Sequence, residues 1–136
     1  MITVSGRQKL IRMDIDELLA GGSGYDVLYE FAGNSPANFV HSADGRYLFG
    51  TSYYTGVSNI FRYEVANGDI QAVSNAETGF VRPIPLGDDQ LIVFEYTGEG
   101  FVPARLDARP LENLSSITLL GQQTVEKHPE LQTWQV

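Results

Sequence analysis

Few side chains in this chain could do chemistry. The two histidines, His41 and His128, are the candidate general bases, and Ser42 follows the first directly. A nucleophile–base pair needs both groups on one side of the backbone. His41 and Ser42 sit in a segment of β character, where successive side chains leave opposite faces. No Gly-x-Ser-x-Gly elbow occurs in the sequence. His41 therefore reads as a histidine in the pleat, packed between sheets. His128, in Glu126-Lys-His-Pro129, reads as a solvated tail residue. Carboxylates gather at Asp14, Asp16 and Glu17 and again at Asp88 and Asp89, but neither group has EF-hand spacing. Both read as strand ends and turns. Gly21-Gly-Ser-Gly24 lacks the Gly-Lys-Ser/Thr of a phosphate loop and reads as a connector. No residue is assigned a catalytic, cofactor-binding or metal-ligating role, and the chain reads as no enzyme.

Aromatic residues offer the other route to function. Tyr47, Phe49, Tyr53, Tyr54, Phe61 and Tyr63 fall within one stretch. Tyrosine combines an apolar body with a polar tip, so some of these could line a peptide or sugar groove, while the rest supply core between sheets. Asn113-Leu-Ser115 fits a glycosylation sequon.

Composition narrows the partners. The 136 residues carry nine basic and 17 acidic side chains, a net charge of −8. The basic residues are scattered, with no two adjacent, which argues against nucleic acid and against anionic membrane surfaces. Zero Cys excludes disulfides, thiolate nucleophiles and Cys-ligated metals. Apolar runs such as Leu91-Ile-Val-Phe94 are far short of the roughly 20 residues of a membrane helix. The N-terminus Met-Ile-Thr-Val-Ser-Gly lacks signal-peptide character.

The elements that must position these residues are short strands. Lys9-Leu-Ile-Arg-Met-Asp-Ile15 alternates, placing Ile11, Met13 and Ile15 on an apolar face toward a core. Asp16 to Ala20 makes one helical turn. Further strands are expected at Asp26–Phe31, Phe39–His41, Arg46–Tyr54, Asn59–Val65, Asp69–Ser74, Phe80–Val81, Gln90–Tyr96, Phe101–Leu106 and within Ser115–Leu120. Ser42-Ala-Asp-Gly45 and Leu86-Gly-Asp-Asp89 read as turns, and Ala66-Asn-Gly68 as a type I′ hairpin.

The pattern repeats. Phe39-Val40 matches Phe80-Val81 at a spacing of 41, Tyr54-Thr-Gly56 matches Tyr96-Thr-Gly98 at 42, and Arg62-Tyr63 matches Arg105-Leu106 at 43. Leu10 to Ile15 mimics Ile60 to Val65 at 50. A period of about 40–45 residues with four short strands per unit is the signature of a β-propeller blade.

The unit Phe39-Val-His-Ser-Ala-Asp-Gly-Arg-Tyr-Leu-Phe49, followed by Asn59-Ile-Phe-Arg-Tyr-Glu-Val65, Asn67-Gly-Asp-Ile70 and Val73-Ser-Asn75, resembles the blade of TolB-type propellers and of the propeller domains of prolyl oligopeptidase-like enzymes. His41 and Ala43 stand where those blades have Trp and Pro. The resemblance implies an all-β chain of antiparallel four-stranded blades. They divide into a remnant over 1–33, blades over 37–76 and 79–121, and a tail over 122–136. Such an incomplete propeller leaves two apolar sheet faces uncovered, so self-association through faces or edge strands is expected. The resemblance further implies a piece of a larger bacterial protein, of the periplasm or envelope, that binds a protein or peptide without catalysis. The alternative is a propeller that gates a serine hydrolase whose catalytic domain lies outside this chain.

Overall fold

Among the described residues, strand-forming stretches separated by Gly- and Asp-bearing turns resolve into nine short strands and one helical turn. A computed structural model describes residues 7–31, 36–87 and 89–111. The strands are β1 (Gln8–Arg12), β2 (Asp26–Phe31), β3 (Ala37–His41), β4 (Tyr47–Ser52), β5 (Asn59–Glu64), β6 (Ile70–Ala72), β7 (Phe80–Leu86), β8 (Gln90–Thr97) and β9 (Gly100–Asp107). The helix α1 (Ile15–Leu19) interrupts the first hairpin. All pairings are antiparallel, in a first sheet β1-β2, a middle sheet β3-β4-β5-β6 and a third sheet β7-β8-β9. The all-β expectation holds. The expected strand at Ser115–Leu120, the sequon, His128 and the tail lie outside the described residues.

The middle sheet is covered on both faces. Opposed residues of neighbouring strands share a face, and Phe49 pairs with Arg62 as Thr51 pairs with Ile60. Phe49, Ile60 and Val73, with Tyr47 beside them, meet Leu91, Val93, Ala104 and Leu106 of the third sheet. Full burial of side chains such as Ile60, Leu91 and Val93 contributes about 1.5–3 kcal/mol each. Arg62 bridges the same two sheets. Its guanidinium lies 4.5 Å from the Tyr47 ring centre and donates to the Ala108 carbonyl at 3.3 Å. On the other face Tyr63 donates its hydroxyl to the Leu28 carbonyl at 3.2 Å, and its ring meets Tyr29 at 6.4 Å. Beyond β9 the chain returns to the middle sheet, where Leu111 donates its N–H to the Ala72 carbonyl at 2.9 Å.

The ladder shows the repeat at the spacing of 43 read from Arg62 and Arg105, and it corrects the shorter spacings. Phe49 pairs with Arg62 as Ile92 pairs with Arg105, an offset of 43. Val65 donates to the Arg46 carbonyl as Ala108 donates to that of Asp89, again 43 apart. In the first strand of each unit the offset is 44, since Val40 faces Phe49 as Ile84 faces Ile92. Both first strands carry a bulge with one left-handed residue, Asn38 (φ 56°) in β3 and Arg82 (φ 52°) in β7. The spacing of 41 matched Phe39 with Phe80 in these irregular strands, and that of 42 matched Tyr54 with Tyr96 where the adjoining ladders run at 43.

Other local expectations are corrected as well. β1 ends at Arg12. Asp14 instead caps α1, accepting the N–H groups of Asp16 and Glu17 at 2.9 and 3.0 Å. Met13 and Ile15 are exposed rather than buried. β7 runs from Phe80 to Leu86, past the expected Val81 and through Leu86, which was expected to open the turn. At Asn67-Gly68 only Gly68 has positive φ, so the turn is not type I′. Asn67 instead accepts the Asp69 N–H on its side chain at 2.9 Å, closing a longer loop in which Gly68 donates to the Glu64 carbonyl.

Asn59, fully buried at the head of β5, ties this fold together. Its Oδ1 accepts from the Ala76 N–H and the Ser74 hydroxyl, both at 2.8 Å, and its Nδ2 donates to Thr55 Oγ1 at 2.7 Å. Asn59→Ala should destabilise the chain by about 2–4 kcal/mol, because buried partners lose their hydrogen bonds. Urea unfolding checks this, and a loss below the scatter of exposed substitutions would contradict this role for Asn59.

Candidate functional site

The residues singled out in the sequence scatter across the molecule. His41 ends β3, opposite Leu48, and its side chain is exposed, so it is not packed between sheets as expected. Ser42 faces its own turn. Its hydroxyl donates to Asp44 Oδ1 at 2.7 Å and accepts the Tyr47 N–H at 3.0 Å. Asp44 also accepts the Arg46 N–H at 3.1 Å and pairs with the Arg46 guanidinium. The Ser42 hydroxyl, then the Arg46 guanidinium and N–H, hold the Asp44 carboxyl well below the usual carboxylate range. Arg46 and Asp44 line a cleft of about 320 Å³ together with Pro85, Asp89 and Gln90, but their charges are spent on each other. Asp14 is occupied by its cap, and Asp88 lies outside the described residues. Among the described residues no three His, Asp or Glu side chains converge as a metal site would need.

The aromatic group divides by depth. Phe49, Phe61 and Tyr63 are core, and Tyr47 is half-buried under Arg62. Tyr53 and Tyr54 are exposed at the opposite end of the sheets from Ser42, in the loop joining β4 to β5. Tyr53 forms one wall of a cleft of about 300 Å³ between the middle and third sheets. Tyr96 and Phe101, facing each other across the β8–β9 hairpin, contribute to its lining, with Thr78 and Gly79 from the β6–β7 connection. The Tyr96 and Phe101 rings touch at 5.4 Å and 58°, forming a ridge. All three rings stand more than half exposed, at 55, 54 and 60%.

Each wall is set by the fold. Tyr53 follows directly on the end of β4, and Tyr96, 43 residues on, lies near the end of β8. Asn59 holds both adjoining loops, through Thr55 on the Tyr53 side and through Ser74 and Ala76 on the Thr78 side. Between them the backbones of Ser58 and Phe80 are joined by the Phe80 N–H donating to the Ser58 carbonyl at 2.7 Å, and the Ser58 hydroxyl donates to the Phe80 carbonyl at 2.7 Å. Gly79 packs against Ser58 with φ 131°, where a side chain would be strained. Sequence reading singled out Tyr53 and missed Tyr96 and Phe101. The offset of 43 leads from Tyr53 to Tyr96, whereas Phe101 answers to Ser58 and is marked by nothing in the repeat.

Comparison with protein-family models finds none that matches this chain, and comparison with curated proteins finds no match.

The Asp44 turn yields a pH prediction. A carboxyl whose folded pKa is depressed adds stability above its unfolded pKa of about 3.9. That contribution is lost as pH falls through the folded value. Ser42→Ala should raise the Asp44 pKa toward the ordinary range, read by carboxyl carbon NMR titration. Identical ordinary titration in wild type and variant would overturn this reading of the turn.

Proposed function

We propose that this chain is a non-catalytic binding segment of a β-propeller, presenting the Tyr53–Tyr96 cleft to an extended segment of a protein partner. The observation that carries the reading is a pair of exposed tyrosines, Tyr53 in the β4–β5 loop and Tyr96 in β8, over a cleft whose adjoining loops are held by buried hydrogen bonds. Tyrosine buries large area at small entropic cost, which suits recognition. The propeller part rests on the stacking. The middle and third sheets use equivalent faces, so the face of the third sheet bearing Ile84, Ile92 and Arg105 corresponds to the middle-sheet face that bears Val40, Phe49 and Arg62. Ile84 and Leu86 stand exposed there, at 47 and 39%. Such a face fits a further sheet, from the same propeller or from a second copy.

Two outcomes are expected. Selection of random displayed peptides against the full chain should enrich sequences whose binding falls about tenfold or more in Tyr53→Ala and Tyr96→Ala, the size of a lost aromatic anchor. Binding that neither substitution weakens would place recognition elsewhere. The chain should also self-associate with concentration, and Ile84→Lys should shift sedimentation toward monomer. A wild-type monomer at high concentration would remove the stacking argument.

A further inference from the structure

If the outer face of the third sheet stacks, as proposed above, its residues fix what can sit on it. Alternation along β8 and β9 places Ile92, Arg105 and Asp107 on that face, with Ile84 opposite Ile92 and Leu86 opposite Gln90. Leu86, Ile92, Pro103 and Arg105 line a shallow hollow of about 380 Å³ there. Tyr96 and Phe101 lie at the other end of β8 and β9, away from this hollow. The molecule shows once how such a face is covered. Arg62, the ladder equivalent of Arg105, crosses to the neighbouring sheet and donates to the Ala108 carbonyl.

Head-to-tail stacking of copies would lay this face on the outer face of a copy's first sheet. That outer face is polar. Tyr29 and Phe31 turn toward the middle sheet, against Tyr63 and Phe39, so alternation turns Asp26 and Glu30 the other way. There Glu30 pairs with Arg7 at 3.1 Å and with Lys9 at 3.2 Å, and Asp26 pairs with Arg12 at 2.7 Å. Covering these solvated ion pairs with an apolar sheet costs free energy that a single added cation does not offset. A polar outer face of this kind ends a stack.

We propose that the outer face of the third sheet pairs with the same face of a second copy about a two-fold axis, and that association closes at this dimer. The patch complements itself. Ile84, Leu86, Ile92 and Pro103 supply apolar surface from both sides. Arg105 is exposed and makes no ion pair among the described residues. Asp107, two residues on and on the same face, meets Arg109 only at 3.8 Å, with both side chains exposed. Across the axis Arg105 of each copy reaches Asp107 of the other, much as Arg62 reaches the third sheet within one copy. The two-fold axis makes that pair twice.

Sedimentation of the full chain over a range of concentrations should show monomer and dimer and nothing larger. Arg105→Asp and Asp107→Arg should each raise the dimer dissociation constant about tenfold or more, because like charges then meet across the axis. Mixed in equal amounts, the two variants should recover wild-type association, since both cross-axis pairs are restored with their signs exchanged. Glu30→Lys, on the first sheet, should leave the dimer unchanged. Species larger than the dimer, or loss of association in Glu30→Lys, would overturn the closed pair while sheet stacking stands. Weakened variants that mixing does not rescue would overturn the Arg105–Asp107 pairing and the proposal with it. A monomer at every concentration would remove the stacking reading as well.

Discussion

One buried amide sets the conditions for everything at the loop end of this molecule. Asn59 has no access to solvent, and its side chain meets partners from two separate loops. The backbone N–H of Ala76 fixes which end of the amide is oxygen. Ser74 extends the network, donating to Asn59 and accepting the Ile60 N–H at 2.8 Å. A fully satisfied network of this kind specifies a single arrangement, because each alternative leaves a buried group without a partner.

The two larger sheets show how one plan tolerates different side chains. In the middle sheet the Phe39 ring covers Gly50, so closely that a Cβ there would come within 2.6 Å of it. By the ladder, the corresponding pair in the third sheet is Pro83 and Val93. A large residue over none has become a smaller one over a branched one, which conserves the filled volume. The buried hydrogen-bond pattern changes less than the side chains do. That is why backbone register reveals the repeat more faithfully than matching letters.

Much of the architecture was legible because period-two alternation is a direct consequence of pleating. β2, β5, β8 and β9 lie close to their expected spans. The misreadings have specific causes. Asn38 and Arg82 adopt left-handed backbone in mid-strand, a conformation that Asn tolerates better than most residues but that Arg does not announce. Pro83 and Pro85 hide the length of β7 beyond Val81, although Pro is tolerated at the edge of a sheet, where β7 lies. Met13 and Ile15 continued the apolar rhythm of β1 past the point where Asp14 turns the chain into α1. At the candidate site, Tyr53 was visible as one aromatic among six. Its exposure was not, because a loop residue and a core residue of the same type look alike in sequence.

The path of the chain after β9 has a mechanical consequence. Leu111 is tied to Ala72 on the outer strand of the middle sheet, and just before it Ala108 is held by Arg62 of the same sheet. Tension arriving from beyond Leu111 is therefore delivered first to the neighbouring layer. The hairpin of β8 and β9 is shielded from being unzipped one rung at a time until those two anchors have given way.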